Sequence, residues 1–351
     1  MKSQFFKICQ EGKRKMSEYR VSIVGVTGAV GQVMLECLEQ RNFPVGELVP
    51  LASHRSAGKK VTFRSKEYTI QDFANHEFKK GELVLSSAGA SVTKTFRERA
   101  ISAGATIVDN TSAYRMEKGV PLVVPEVNAD QIAGHPGIIA NPNCCAAILT
   151  VAIWPLYRLS RIRRMVVSTY QSASGAGAKA MAELMNQTRE ILDGKKPTVQ
   201  VLPHQLAFNV HSHQATIEAN GYNGEENKVI AETRKIFGDP DLGIGVTCIR
   251  VPVMRAHSEV VNVEFEKPVT VEQAREAVEE APGVRLVDDR EKNHFPMPIE
   301  ASGIDDVLVG RIREDSSVPN GCGLAVFIAG DQLRKGAALN AVQIAELVIQ
   351  G

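Results

Sequence analysis

The stretch Tyr19-Arg20-Val21-Ser22-Ile23-Val24-Gly25-Val26-Thr27-Gly28-Ala29-Val30-Gly31 decides how the chain begins to fold. Arg20 to Gly25 reads as a short apolar strand, and Gly25 to Gly31 as a glycine-rich turn. From Ala29 to about Gln40, the positions of Val30, Met34, Cys37 and Leu38 repeat at helical spacing. Strand, turn and helix follow one another directly. Further short apolar runs at Glu47 to Ala52, Glu82 to Ser86, Ala105 to Asp109 and Gly137 to Ala140 are separated by helical or loop segments. Strands buried on both faces and alternating with helices predict an α/β, Rossmann-type, doubly wound parallel sheet.

Beyond residue 143 the pattern changes. In Ser258 to Glu266, Val261, Val263 and Phe265 alternate with Asn262, Glu264 and Glu266, which marks a half-buried strand. Similar runs at Ile162 to Tyr170, Val246 to Val253, Asp306 to Arg313 and Gly323 to Gly330 predict an α+β domain, a mixed sheet with helices on one face. From Arg334 the tail is amphipathic, with Ala338, Ala341, Val342, Ala345 and Val348 on one stripe. The expected division is a dinucleotide-binding domain over 18–142, completed by a returning helix over 331–351, and a second domain over 143–330.

The 351 residues suit two domains, and 44% hydrophobic with 23% charged residues is a globular composition. No run approaches the ~18 apolar residues that cross a membrane, and a net charge of +1 offers nucleic acid no field. Six scattered cysteines, without CxxC pairs, predict neither a zinc site nor a disulfide scaffold and suit a reducing cytoplasm. Residues 1–17 read as a disordered leader: they are basic, and their apolar part is too short for a signal peptide.

A glycine turn at the first strand–helix junction lets backbone approach a pyrophosphate at the positive helix end. Gly25, Thr27, Gly28, Ala29, Val30 and Gly31 are therefore candidate cofactor contacts. An NAD site would place a carboxylate about twenty residues on. Here that region reads Ser53-His54-Arg55-Ser56-Ala57-Gly58-Lys59, with no acid. Ser53, Arg55 and Ser56 suit a 2′-phosphate, so NADP is the expected cofactor. Ser86 ends another strand at the carboxyl edge, where ligands of such sheets bind.

Asn141-Pro142-Asn143-Cys144 follows a strand and opens a helical run. The macrodipole and free N–H groups at a helix start favour a thiolate, which makes Cys144 a candidate nucleophile. Cys37, Cys248 and Cys322 lie in apolar patterns and read as inert. Such a nucleophile needs a proton carrier, and of eight histidines His257 is best placed, at the end of the Arg250-Val251-Pro252-Val253 strand.

These pieces together resemble the aspartate-semialdehyde dehydrogenase family, from about Tyr19 to the C-terminus. The glycine turn, Arg55 to Lys59, Asn141 to Cys144, Gln171 to Gly177, Arg250 to His257 and Arg334 to Asn340 occur in the family's order. The resemblance implies reversible, NADPH-dependent reductive dephosphorylation of aspartyl 4-phosphate to aspartate 4-semialdehyde. That step leads toward lysine, threonine, methionine and diaminopimelate. It implies a thioester at Cys144, acid/base work by His257 and acyl orientation by Gln171. Arg250 would bind the substrate α-carboxylate and Glu225 its amine, Arg115 and Lys228 phosphate, and Asn143 the reacting oxygen together with the Cys144 N–H. Gly175 and Asn340 join the expected cofactor contacts. A homodimer built on the second, catalytic and dimerisation domain, inorganic phosphate as co-substrate and no metal complete the implied picture.

Two departures stand out. Cys145 and Ala147 occupy positions where the family commonly has Ser and Thr, and Cys145 adds an oxidisable neighbour to the nucleophile. His211 and His213 lack the accompanying ligands of a metal site. The alternatives are N-acetyl-glutamyl-phosphate reductase, against which Asn143 argues, and a non-catalytic nucleotide-binding paralogue, against which the retained Cys144, Gln171, Arg250 and His257 argue.

Overall fold

The computed structural model describes residues 18–350, so the leader expected over 1–17 lies outside the described residues, as does Gly351. The apolar runs of the first part form β1 (Tyr19–Val24), β2 (Val45–Ala52), β6 (Leu83–Ser86), β7 (Thr106–Asp109) and β8 (Ile138–Ala140). With the short β5 (Gln71–Asp72) they make one six-stranded sheet in the order β5-β2-β1-β6-β7-β8, parallel at every pairing. Val21, Ile23, Leu83 and Leu85 are buried because helices cover the sheet.

Helix α1 (Ala29–Gln40) packs there with Met34, Cys37 and Leu38, and so does the tail. The tail begins as a π-helical turn, Arg334–Ala338, and only then becomes the final α-helix, Leu339–Gln350, so the helix expected from Arg334 starts later. Its Leu339, Val342 and Ile344 are buried in the first sheet's core, at about 1.5–3 kcal/mol for each fully buried side chain. Arg41 fastens it through Glu346, at 2.7 Å to both oxygens.

One feature was not anticipated, the hairpin of β3 (Lys60–Phe63) and β4 (Lys66–Thr69). Its turn uses Arg64 and Ser65 at φ 48° and 61°, without the Gly or Asn that usually announces such a turn.

The second sheet comprises β9 (Ile162–Gln171), β10 (His211–Ser212), β11 (Gly243–Arg250), β12 (His257–Phe265), β13 (Val284–Leu286), β14 (Val307–Glu314) and β15 (Gly323–Gly330). Its order is β10-β11-β9-β12-β15-β14-β13, with parallel and antiparallel pairs mixed. Helices Cys144–Leu159, Gly224–Phe237 and Val271–Glu280 bury one face through Ile148, Val229 and Val278, against Val167, Val246 and Val261. On the other face Val166, Ser168, Tyr170, Val260 and Asn262 are only half-buried.

Two sequence expectations shift here. β11 stops at Arg250, because Pro252 has no N–H to continue a ladder, so His257 opens β12 rather than closing β11. Cys322 is half-exposed at the turn before β15, with its thiol 3.6 Å from the Asn320 carbonyl, and is not a core cysteine. Among the described residues no helix is long and apolar enough to cross a membrane.

Candidate active site

The end of the second sheet gathers the chemistry. β9 and β11 run parallel and finish side by side at Gln171 and Arg250, while antiparallel β12 starts at the same end with His257. Two helix N-termini arrive there as well, that of Cys144–Leu159 with Cys144 as its first residue and that of Gly224–Phe237 with Glu225 in its first turn. The resulting cleft, of about 450 Å³, reaches back to Val30, Ser87 and Gly89 on the first sheet's side.

The loop before the nucleophile is held on every side. The Asn141 side chain donates to Asn110 at 2.9 Å and accepts from Asn340 at 2.6 Å, and Arg115 Nε donates to the Asn141 carbonyl at 2.9 Å. Asn143 caps the helix, its Oδ1 accepting from the N–H groups of Cys145 and Ala146 at 2.9 and 3.3 Å. Its side-chain N–H donates to Glu225 at 2.8 Å, and its backbone N–H to Glu232 at 2.6 Å. The Asn143 amide expected at the reacting oxygen thus gives one of its two N–H groups to Glu225.

A ring nitrogen of His257 and the sulfurs of Cys144 and Cys145 all lie within 4.8 Å of one another. The Cys145 thiol, and after it the His257 imidazole, hold the Cys144 thiol well below its usual value, although burial pushes the other way. Cys145 is pushed well above its own, chiefly by its bond to Cys144 and by burial. Those directions make Cys144 the more acidic thiol of the pair.

His257 is fully buried, and its Nδ1 accepts the Ser172 backbone N–H at 3.1 Å. An amide N–H can only donate, so the neutral ring carries its proton on Nε2. Nε2 has no hydrogen-bond partner among the described residues. Ala256, at φ 69°, turns the chain into this position, and its N–H is held by Gln332 at 2.9 Å. Gly175 leaves the room, since a Cβ there would sit 3.0 Å from His257 Nε2.

Arg250 is 1% exposed and donates to the Ser172 carbonyl at 2.7 Å and to Gln214 at 3.2 Å. Its Nε is buried without a partner among the described residues. Gln171 accepts from Thr169 at 3.2 Å and donates to Glu225 at 3.3 Å. Burial would raise the Glu225 carboxyl, but His213, Asn143 and Lys228 together hold it below the usual range. Lys228 lies 3.4 Å from it and is half-exposed, whereas Arg115 is buried against Glu232 at 3.1 Å.

On the cofactor side Gly25, at φ 92°, tightens the turn, and a Cβ on Gly31 would meet the Gly25 carbonyl at 2.4 Å. Gly28 caps helix α1 with no side-chain acceptor for its first N–H groups, beside exposed Thr27 and half-buried Ala29 and Val30. Ser53 and Arg55 are exposed and Ser56 half-buried, directly after β2.

Two expected contacts fall elsewhere. Ser86 is fully buried with its hydroxyl 2.9 Å from Thr93, and Ser87 lines the cleft instead. Asn340 is fully buried, spending its amide on Val123, Asn141 and Lys335, and so braces the nucleophile loop rather than facing the cleft.

Sequence reading missed Glu232, His213, Gln332 and Gly336. Glu232 stands seven residues after Glu225, two turns along the same helix face, which was the available signal. Gly336 comes from the π-helical turn, and a Cβ there would meet the Cys144 Cβ at 2.9 Å. His213 lines the cleft near Glu225 and Arg250, and burial pushes its imidazole down to about 4.

The family described as semialdehyde dehydrogenase, NAD binding domain, matches residues 20–135, and its dimerisation domain matches residues 153–335. An aspartate-semialdehyde dehydrogenase of Synechocystis is 56% identical over 95% of this chain and 98% of its own. One of Aquifex aeolicus is 48% identical over 95% and 98%. Among solved structures, aspartate semialdehyde dehydrogenase II of Vibrio cholerae, complexed with ASA, superposes with a TM-score of 0.92 at 41% identity, covering 95% of this chain and 99% of that one. With two domain families matched in order and near-full-length relatives at this identity, the chain belongs to the aspartate-semialdehyde dehydrogenase family.

Proposed function

We propose that the chain catalyses reversible reductive dephosphorylation of L-aspartyl 4-phosphate to L-aspartate 4-semialdehyde, with NADP(H) as cofactor and Cys144 as the acylated nucleophile. The observation that carries this reading is the meeting of a low-lying thiol at a helix start, a histidine ring nitrogen within 4.8 Å of its sulfur, and an Arg250/Glu225 pair lining the same cleft. Arg250 offers a planar cation to the substrate α-carboxylate and Glu225 a carboxylate to its ammonium group. Those two contacts aim C4 at Cys144. Gln171, fixed by Thr169, orients the acyl carbonyl.

In the direction of semialdehyde oxidation the Cys144 thiolate attacks the aldehyde carbon. The Cys144 N–H and the helix dipole receive the developing oxyanion, and His257 gives it the Nε2 proton and takes it back. The nicotinamide supplies hydride acceptance when bound. Phosphate, drawn by Lys228 and Arg115, then displaces Cys144 from the thioester and releases the acyl phosphate.

The cofactor reading rests on the uncapped N-terminus of helix α1 for pyrophosphate and on exposed Arg55, flanked by Ser53 and Ser56, for a 2′-phosphate. The half-buried Val166, Ser168, Tyr170, Val260 and Asn262 on the second face of the second sheet, with the matched dimerisation domain, support a homodimer. Free Cys37, Cys144, Cys145, Cys248 and Cys322 support a reducing, cytoplasmic location.

The test is phosphate-dependent reduction of NADP and of NAD with two aldehydes. Turnover with aspartate 4-semialdehyde, and preference for NADP, are expected. Turnover only with N-acetyl-glutamate semialdehyde would move the substrate to the reductase alternative, and silence with both would favour a non-catalytic paralogue.

A further inference from the structure

Beneath the nucleophile the second sheet holds a carboxyl that the mechanism above does not use. Glu259 is the third residue of β12, on the same face as His257, and is completely buried. Among the described residues neither of its side-chain oxygens has a hydrogen-bond partner. In register it lies between Thr169 of β9 and Ile328 of β15, and Thr169 in turn lies beside Cys248 of β11. The start of helix Cys144–Leu159 closes over this row. The groups around the carboxyl are the thiols of Cys144, Cys145 and Cys248, with the Thr169 hydroxyl and the Ile328 side chain beside it and the His257 imidazole two residues along the same strand face. Neither oxygen of the carboxyl is bonded to any of them.

An ionised carboxylate in such surroundings would lose its hydration and gain nothing in return, and it would stand beside a thiolate of the same sign. Burial and the Cys144 charge both push the Glu259 carboxyl well above its usual range, and Cys145 pulls it back only in part. A protonated carboxyl has an O–H to give, and the sulfur of Cys145 is the acceptor it faces.

We propose that Glu259 is a positioning residue, an uncharged carboxylic acid that donates its O–H to the Cys145 sulfur and thereby turns the Cys145 S–H onto the Cys144 thiolate. The proposal rests on Cys144 being the reactive thiol and adds the layer that keeps it ionised. No bond is made or broken in this chain of donors, and its effect is a lower Cys144 pKa.

The test is the pH profile of iodoacetamide alkylation at Cys144, read on the peptide, in the full-length wild type, Glu259→Gln and Glu259→Met. Gln keeps a neutral donor, so its profile and turnover should stay within about 3-fold of wild type. Met keeps the volume without the donor and should raise the apparent Cys144 pKa by about one unit, with about a 10-fold loss of kcat and little change in KM. A purely structural role would lower Tm in the Met variant without moving the Cys144 profile, and that result overturns the proposal. A Gln variant whose Cys144 titrates lower than wild type also overturns it, since that is the signature of removing a negative charge. If the Met variant does not fold, the infrared difference between wild type and Glu259→Gln decides. The carbonyl stretch of a protonated carboxylic acid at neutral pH is expected, and its absence overturns the proposal. If alkylating Cys144 left turnover intact, the nucleophile assignment would fail, while the profiles would still read the role of Glu259.

Discussion

The two ends of the cleft are finished to different degrees. Around Cys144 several polar side chains are already bonded to protein, Asn143 to Glu225 and Glu232, Gln171 to Thr169 and Glu225, Arg250 to Ser172 and Gln214, while His257 Nε2, Arg250 Nε and the Glu259 carboxyl have no partner among the described residues. At the cofactor end Gly28 leaves its helix uncapped, and Ser53 and Arg55 stand in solvent. The first region invests folding energy in geometry before any ligand arrives, which is how a site keeps its reorganisation cost low during the chemical step. The second, on the proposed reading, would be completed by the cofactor. Substitutions at the nucleophile end should therefore disturb fold and rate together, and those at the cofactor end affinity alone.

The largest effect expected from that contrast is at Glu232, 1% exposed and holding both the Asn143 N–H and Arg115. Glu232→Ala leaves a buried cation and a buried N–H unpaired and should cost about 3–5 kcal/mol in denaturant unfolding. A loss under about 1 kcal/mol would break the contrast. Gly336→Ala comes next, because its Cβ would press on Cys144 at 2.9 Å. It should cost about 1–3 kcal/mol of stability and lower kcat by up to about 10²-fold through displacement of the thiol. Unchanged kcat would mean that the π-helical turn yields freely.

At the other end Arg55→Ala should raise KM for NADPH about 10-fold, leave kcat and Tm alone and leave KM for NADH unchanged. An equal loss for both cofactors would remove Arg55 from the 2′-phosphate. The smallest effect sharpens the comparison through pH. His213 is held neutral in the fold down to about 4, whereas the unfolded chain protonates it near 6.5. Between those values the unfolded state binds more protons, so stability should fall as pH drops from about 6.5 toward 4. His213→Gln should flatten part of that slope in Tm against pH.

How much of this was legible in the sequence follows the same division. Glycine turn, helix start and strand ends are local, so β1, helix α1, the Cys144 helix and most strands of the second sheet could be read from spacing. The motif positions Cys144, Gln171, Glu225, Arg250 and His257 do converge, because three strand ends and two helix starts meet there. What sequence could not give was the partner of each group. Asn340 and Ser86 were expected to face a ligand and are spent inside the protein, since a polar side chain says nothing of which neighbour satisfies it. Glu232 and Gln332 act across 89 and 76 residues of chain, and Gly336 through a π-helical turn without a sequence signature. The start of β12 at His257 was misread by one strand because Pro252 reads as part of an apolar run until its missing N–H is counted.

The central claim is that Cys144 carries the acyl group. Mixing the full-length protein with aspartate 4-semialdehyde and NADP in the absence of phosphate, then quenching in acid for peptide mass spectrometry, tests it directly. An aspartyl thioester on Cys144, formed with one equivalent of reduced cofactor and absent from Cys144→Ser, is the predicted result. Reduced cofactor without an adduct at Cys144, or an adduct that persists in Cys144→Ser, would contradict the account.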